Sequence, residues 1–113
     1  MHKYHVSPAS ERTVDGILFA SKAEMKRWQE LKLMESSGAI KDLERQPVYV
    51  LSEAFTDSEG KKQRAIKYVG DFRYSEGGRV VVEDVKGFWT REAKLKVKMF
   101  KQRYPGIIFR EVK

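Results

Sequence analysis

The chain has 113 residues, a length typical of one domain, and its 41% apolar and 35% charged residues indicate a soluble, folded protein with a net charge of +7. It contains no cysteine, and its two histidines, His2 and His5, lie at the N-terminus, so we expect neither a disulfide, a thiol nucleophile nor a Ser-His-Asp triad. No apolar run is long enough for a membrane span or a signal peptide, so we expect a cytoplasmic protein whose chemistry comes from Asp, Glu, Lys and hydroxyl groups.

Residues 1–14 are mixed and polar and contain Pro8, which is typical of a flexible N-terminal arm ahead of a domain over residues 15–113. His2 and His5 in this arm could share a metal ion, although paired histidines without further ligands are usually incidental.

Ser21 and Glu24 begin the first predicted helix as a capping box, with a hydroxyl at the N-cap and a glutamate three residues later. The pattern predicts a helix over about residues 22–37 that ends at Gly38. Its core-facing stripe consists of Glu24, Trp28, Leu31 and Met34. A carboxylate on such a stripe is unusual and marks Glu24 as a candidate functional residue.

Three strands are predicted in the middle of the chain, over residues 40–51, 65–74 and 79–86, and Gln46 and Pro47 interrupt the first of them. Gly77 and Gly78 form a tight turn between the second and the third strand. Valines on both faces of the third strand predict that it is central in the sheet.

Thr90 is the predicted N-cap of a second helix that runs to about Arg103, and a last strand begins at Ile107. Because a helical crossover leads into it, this strand could pair in parallel with an earlier one. The whole order predicts a single α/β domain with a mixed central sheet flanked by helices.

The excess of positive charge lies in the last quarter of the chain, since residues 86–113 hold 9 basic and 2 acidic side chains and residues 1–85 hold 14 of each. On the second helix, one arc beside the buried stripe carries Arg91, Lys94, Lys98 and Lys101. This arc is either a surface for a nucleic-acid backbone or a solvated charged face, and Thr90 at the helix N-terminus could also contact a phosphate.

Asp84 and Lys86 lie two residues apart on the third strand, so their side chains point to the same face. The hairpin should bring Asp71, near the end of the second strand, close to Asp84. Two converging carboxylates are a natural Mg²⁺ site, and the ion would bind a scissile phosphate and lower the pKa of an attacking water. Lys86 would orient that water or neutralise charge on the phosphate. For the pair of Asp84 and Lys86 alone, a salt bridge is the alternative interpretation.

Asp71 followed by Asp84-Val85-Lys86 resembles the bipartite signature of the PD-(D/E)XK nuclease superfamily. The predicted order αβββαβ over residues 16–112 is similar to the restriction-endonuclease-like core of that superfamily. Further segments resemble a small phage-encoded family of unassigned role, the transposon-end endonucleases and, more distantly, Holliday-junction resolvases. These segments are residues 19–24, 45–47, 70–72 and 82–87.

The resemblance implies a role for each candidate residue. It makes Asp71 and Asp84 metal ligands, Glu24 an additional ligand, and Gln46 a support for the active lysine. Gly70 departs from the pattern, because the superfamily's name has proline at that position. Glu83 faces away from Asp84 by strand alternation and is interpreted as a supporting or surface residue.

We therefore expect an endonuclease that uses Mg²⁺ or Mn²⁺ to hydrolyse DNA phosphodiester bonds, in phage or mobile-element DNA processing or recombination. Its substrate could be branched or structured DNA, and cutting two strands would need a homodimer. The alternative is a catalytically inactive protein of the same fold that only binds nucleic acid or a partner protein. Divalent-metal binding distinguishes the two, since a pure binder has no reason to hold Asp71 and Asp84 together.

Overall fold

In the computed structural model, which describes residues 6–113, the chain enters the domain through a short hairpin. His2 and His5 lie outside the described residues, so the question whether they share a metal ion is not addressed by the structure. Arg12 ties this entry to the domain, because its guanidinium donates to the backbone oxygens of Ser7 at 2.8 Å and Phe19 at 2.5 Å. The elements here are a 3₁₀ helix at Ala9–Glu11 and strands β1 (Thr13–Val14) and β2 (Ile17–Leu18).

Helix α1 covers Lys22–Ser36, close to its predicted bounds, and Ser21 caps it by accepting a hydrogen bond from the Glu24 backbone N–H at 3.1 Å. Its inward stripe is confirmed, since Glu24, Trp28 and Leu31 are buried. Within residues 6–113, no helix is long and apolar enough to cross a membrane.

Eight further strands and one further α-helix follow α1 in the chain. They are β3 (Lys41–Arg45), β4 (Val48–Ser52), β5 (Phe55–Thr56), β6 (Lys62–Gln63), β7 (Ile66–Val69), β8 (Phe72–Glu76), β9 (Arg79–Val85), α2 (Arg91–Arg103) and β10 (Ile108–Val112).

The main sheet has the order β10-β9-β8-β3, with β10 parallel to β9 and the other neighbours antiparallel. The chain is thus a small α/β domain with a mixed sheet, as predicted, and the last strand does pair in parallel. Strand β9 lies between β10 and β8, so it is a central strand. Both of its faces are covered, since Val81 packs in the core under α1 and Val82 in the core under α2.

The predicted second strand is broken in two at Gly70 and Asp71, and the first is broken beside it at Gln46 and Pro47. Proline has no N–H for a ladder, and Gln46 adopts a left-handed φ of 52°. Two hydrogen bonds join the breaks, from Gln46 N–H to Asp71 O at 2.9 Å and from Gly70 N–H to Pro47 O at 3.0 Å. Strands β4 and β7 therefore form a separate antiparallel pair, and Asp71 sits at the hinge between the two sheets.

Candidate active site

Asp71 and Asp84 lie opposite each other on neighbouring chain segments, as the hairpin predicted. Gly77 and Gly78, with φ of 59° and 81°, close the β8–β9 turn, and the register pairs Phe72 with Glu83. Asp71 is the next residue beyond that pair, and its carboxylate Oδ2 accepts a hydrogen bond from the Val85 N–H at 2.6 Å. The side chain of Asp71 therefore crosses toward the end of β9, where Asp84 and Lys86 lie.

Asp84 is almost fully buried, with 2% of its surface exposed, and its two oxygens have different surroundings. The Tyr68 hydroxyl donates to Oδ2 at 2.7 Å. Oδ1 has no hydrogen-bond partner within residues 6–113, and Lys86 Nζ is 3.7 Å away from it. The sequence did not predict Tyr68 as a site residue.

Glu24, on helix α1, places a third carboxyl group beside Asp71, and it is 7% exposed. Its side chain interacts with Asp71, and Arg45 Nη2 lies 4.0 Å from its Oε2. The Glu24 side chain, on the inward stripe of the helix, therefore lies next to the carboxyl group of Asp71.

The three carboxyl groups share an environment that disfavours negative charge. Burial raises the pKa of Asp84 to about 7; the Tyr68 hydrogen bond opposes this shift, and neighbouring Asp71 adds to it. Burial also raises the pKa of Asp71 and of Glu24 above their usual range, and the charge of Glu24 raises that of Asp71 further. A cation between these groups would relieve their repulsion.

The donor chemistry fits a hard divalent cation, because carboxylate oxygens are the ligands that Mg²⁺ prefers and Asp84 Oδ1 is buried without a partner. Over the described part of the chain, however, no group of three or more His, Asp and Glu side chains is arranged to hold a metal ion together. Asp71 and Asp84 are therefore the candidate ligand pair, and Glu24, which lines the same cleft as Asp71, is a candidate assisting ligand.

Two clefts meet at Lys86. The larger, about 650 Å³, exposes Glu24 and Asp71, and the smaller, about 280 Å³, exposes Asp84. Lys86 lines both of them, and its backbone N–H donates to Val112 O at 3.0 Å, which fixes the lysine at the end of β9. The remaining polar lining of the smaller cleft is Lys67, Tyr68, Thr90, Glu92 and Lys96.

Gln46 and Gly70 lie at the two strand breaks that form the hinge. The Gln46 side chain is exposed, and only its backbone N–H, which donates to Asp71 O, contacts a site residue among the hydrogen bonds of the described residues. The support of Lys86 by Gln46 therefore stays a prediction. A Cβ on Gly70 would lie 2.8 Å from Val82 Cγ1, and the Gly70 N–H is a donor that proline would lack. Glycine in place of proline is therefore a packing requirement of this chain.

Glu83 is fully buried, so the surface interpretation of this residue is wrong. As alternation predicted, it faces away from Asp84, and Arg27 of α1 donates to both its oxygens, at 2.8 Å and 2.7 Å. The Tyr74 hydroxyl also donates to Glu83, and Arg110 donates to that hydroxyl at 3.0 Å. This pair of buried Glu83 and partly buried Arg27 lies on the face of β9 opposite Asp84, and it anchors α1 to the strand that carries Asp84.

Helix α2 carries the predicted basic arc on its exposed surface. Arg91, Lys94, Lys98 and Lys101 are all exposed, and Thr90 Oγ1 caps the helix by accepting from the Ala93 N–H at 3.0 Å. The capping role of Thr90 is confirmed, while phosphate contacts of this arc stay a prediction.

The comparison with protein families assigns the whole chain. It belongs to the family described as "Protein of unknown function (DUF1064)", whose family model matches residues 1–113. No curated protein matches it. The family carries no stated activity, so the function of this DUF1064 protein rests on the chemistry of the site.

Proposed function

We propose that this DUF1064 protein is a divalent-metal-dependent endonuclease that hydrolyses DNA phosphodiester bonds. The observation that carries the proposal is the convergence of Asp71 and Asp84 at the end of β9, beside Lys86 and with one buried, unpartnered carboxylate oxygen. Burying a carboxylate costs folding free energy, and carboxyl groups with raised pKa values are therefore found most often at functional sites.

The order of elements supports a restriction-endonuclease-like core of the PD-(D/E)XK type. The two α-helices and the four strands of the main sheet come in the order α1, β3, β8, β9, α2, β10, which is an αβββαβ order with β4–β7 inserted between β3 and β8. The two acidic residues and the lysine of the signature come together at one end of the central strand.

In the proposed site, Asp71 and Asp84 would hold Mg²⁺ or Mn²⁺, with assistance from Glu24. A bound ion of this kind supplies a Lewis acid for the phosphate and a water of lowered pKa. Tyr68 holds Asp84 Oδ2, which leaves Oδ1 as the carboxylate oxygen that can take another partner. Lys86 Nζ, on the boundary of both clefts, donates a hydrogen bond to the attacking water or to a phosphate oxygen, where its charge offsets the charge that develops in the transition state.

A second function is favoured by a different observation. Because no set of three candidate ligands within residues 6–113 is arranged around one point, the site also suits a protein that binds nucleic acid without cutting it. In that case the pair of Asp84 and Lys86 would be a structural ion pair.

The deciding experiment is incubation of the purified protein with linear, branched, flapped and single-stranded DNA in millimolar Mg²⁺ or Mn²⁺. Cleavage by the wild type that disappears in Lys86→Ala and Asp84→Asn supports the endonuclease. Binding by all three proteins without any cleavage would replace it with the second function.

A further inference from the structure

A groove that is separate from the carboxylate clefts lies between helix α2 and strand β10. It has a volume of about 350 Å³, with Trp89, Val97 and Phe109 as its floor and lysines on its rim. We call it the α2–β10 groove; its rim lysines are Lys94, Lys98 and Lys101.

The aromatic floor of the α2–β10 groove is held rigidly. The Trp89 and Phe109 rings meet edge to face with centroids 6.3 Å apart, and Phe109 packs in the same way on Phe100 and Tyr68 in the core. Trp89 and Phe109 are each partly exposed, whereas Trp89 Nε1 is buried and has no hydrogen-bond partner in the described residues. The floor therefore presents aromatic surface that would gain from contact with a flat apolar group.

The rim supplies an excess of positive charge. Lys94, Lys98 and Lys101 face one acidic lining residue, Glu111, and none of the three has a carboxylate within salt-bridge distance in the described range. Lys101 Nζ lies 5.2 Å from the centroid of the Phe109 ring, so charge and aromatic surface are adjacent in the groove. This combination suits a ligand that is both anionic and aromatic.

We propose that the α2–β10 groove binds a single-stranded segment of the DNA substrate, with unpaired bases against Trp89 and Phe109 and phosphates on the lysine rim. The choice of DNA rests on the proposed function. A single strand is favoured over a duplex because paired bases are stacked inside the double helix, where a groove floor cannot reach their faces. Stacking on an aromatic side chain strengthens binding whatever the base, because every base has a π-face.

The α2–β10 groove also begins next to the proposed catalytic lysine. Lys86 Nζ lies 5.8 Å from the centroid of the Trp89 ring. Trp89 therefore borders the proposed active site and also lines the groove. A strand that leaves the site would thus continue into the groove unpaired. The substrate class that follows is DNA with a single-stranded tail or flap beside the cut.

The test is fluorescence anisotropy with a labelled oligothymidylate of about 12 nucleotides, within the range of single-strand site sizes, against a blunt duplex of equal length. Both are measured in EDTA so that cleavage plays no part. We expect the wild type to bind the single strand more tightly. Trp89→Ala should weaken single-strand binding by about 5- to 150-fold, the equivalent of 1–3 kcal/mol, and change duplex binding little. Trp89→Phe, which keeps an aromatic face, should retain most of the affinity and controls for a folding defect.

A triple variant of Lys94, Lys98 and Lys101 to glutamine removes the rim charge and should weaken single-strand binding. Its matched control is a triple variant of Lys26, Lys41 and Lys61 to glutamine, which removes the same charge from exposed positions away from the groove. It should keep the single-strand preference. Equal affinity for the single strand and the duplex, or an unchanged single-strand preference in Trp89→Ala, would overturn the proposal. It would also be overturned if the wild type bound polyglutamate and not DNA, and if substitutions in the groove abolished that binding. Because this assay needs no metal ion, its failure leaves the cleavage proposal standing, and a lack of cleavage leaves the groove assignment standing.

Discussion

The Tyr68 hydroxyl donates a hydrogen bond of 2.7 Å to Asp84 Oδ2, and both side chains are buried. Tyr68 is on β7, in the small sheet beyond the hinge, whereas Asp84 is on β9 in the main sheet. The bond therefore joins the two sheets at the carboxylate, and it leaves Oδ1 as the oxygen that can accept another partner.

Tyr68→Phe should uncouple this carboxylate from the small sheet. Loss of one hydrogen bond to a buried charged group costs about 1–3 kcal/mol, and the pKa of Asp84 should rise because that bond lowers it. We expect a lower thermal midpoint and weaker Mn²⁺ binding near neutral pH, measured by differential scanning calorimetry and isothermal titration. Tyr104→Phe, which removes a hydroxyl bonded to Val50 O, is the matched control and should affect stability alone. Equal Mn²⁺ affinities in wild type and Tyr68→Phe would show that Tyr68 does not orient the ligand.

Mn²⁺ should bind at Asp71 and Asp84 and stabilise the folded protein. At a concentration 100 times its dissociation constant, a ligand specific to the folded state adds about 2.7 kcal/mol. Asp84→Asn should abolish both the calorimetric binding signal and the thermal shift, while Glu59→Gln, in an exposed loop, should keep them. Identical binding by wild type and Asp84→Asn would place the ion elsewhere.

The buried carboxyls predict that stability falls as the pH rises toward neutrality in the absence of metal. The pKa of Asp84 is about 7 in the folded chain and 3.8 without burial, so the folded state holds this proton more tightly. The stabilisation of the folded state by protonated Asp84 is fully present below about pH 4 and is lost as the pH rises through 7. The raised pKa values of Asp71 and Glu24 change the stability in the same direction. In Asp84→Asn, a loss of about 4 kcal/mol in the free energy of unfolding between pH 4 and pH 8 should disappear, as measured by urea unfolding in EDTA. Parallel pH profiles for the two proteins would contradict the assignment.

The sequence allowed the convergence of the carboxylates to be predicted because it depends on local rules. Helical spacing places Glu24 on the inward stripe, and a two-glycine hairpin determines which residues of β8 and β9 face each other. These rules act over a few residues and do not require knowledge of distant parts of the chain.

The partners of Asp84 and Glu83 could not be predicted in the same way. Tyr68 precedes a strand break, and alternation cannot be carried across the hinge at Gly70 and Asp71. The Arg27–Glu83 pair joins residues 56 positions apart, and it depends on how α1 packs on the sheet. Strand alternation gave the face of Glu83 correctly, but burial of a charge is decided by the partner that packing supplies.

Lys86→Ala and Asp84→Ala should each abolish cleavage and leave DNA binding in Ca²⁺ largely intact. Because the two residues act on the same phosphate, the double variant should be little worse than either single one. Glu24→Gln should be milder, since water can replace an assisting ligand. The measurement is single-turnover cleavage of labelled DNA, and wild-type rates in purified Lys86→Ala would rule out the proposed role of the lysine.

Replacing Lys94, Lys98 and Lys101 with glutamine should reduce the salt dependence of DNA binding. Each lysine that neutralises a phosphate releases condensed counterions, with a slope of about 0.9 per contact on duplex DNA and about 0.7 on a single strand. If all three contact phosphates, the slope should fall by about 2.7 on a duplex or about 2.1 on a single strand. The fold should survive, because these side chains are exposed and glutamine is a comparable helix former. The measurement is a salt titration of binding in Ca²⁺, and an unchanged slope would mean that this face of α2 is only solvated and that DNA binds elsewhere.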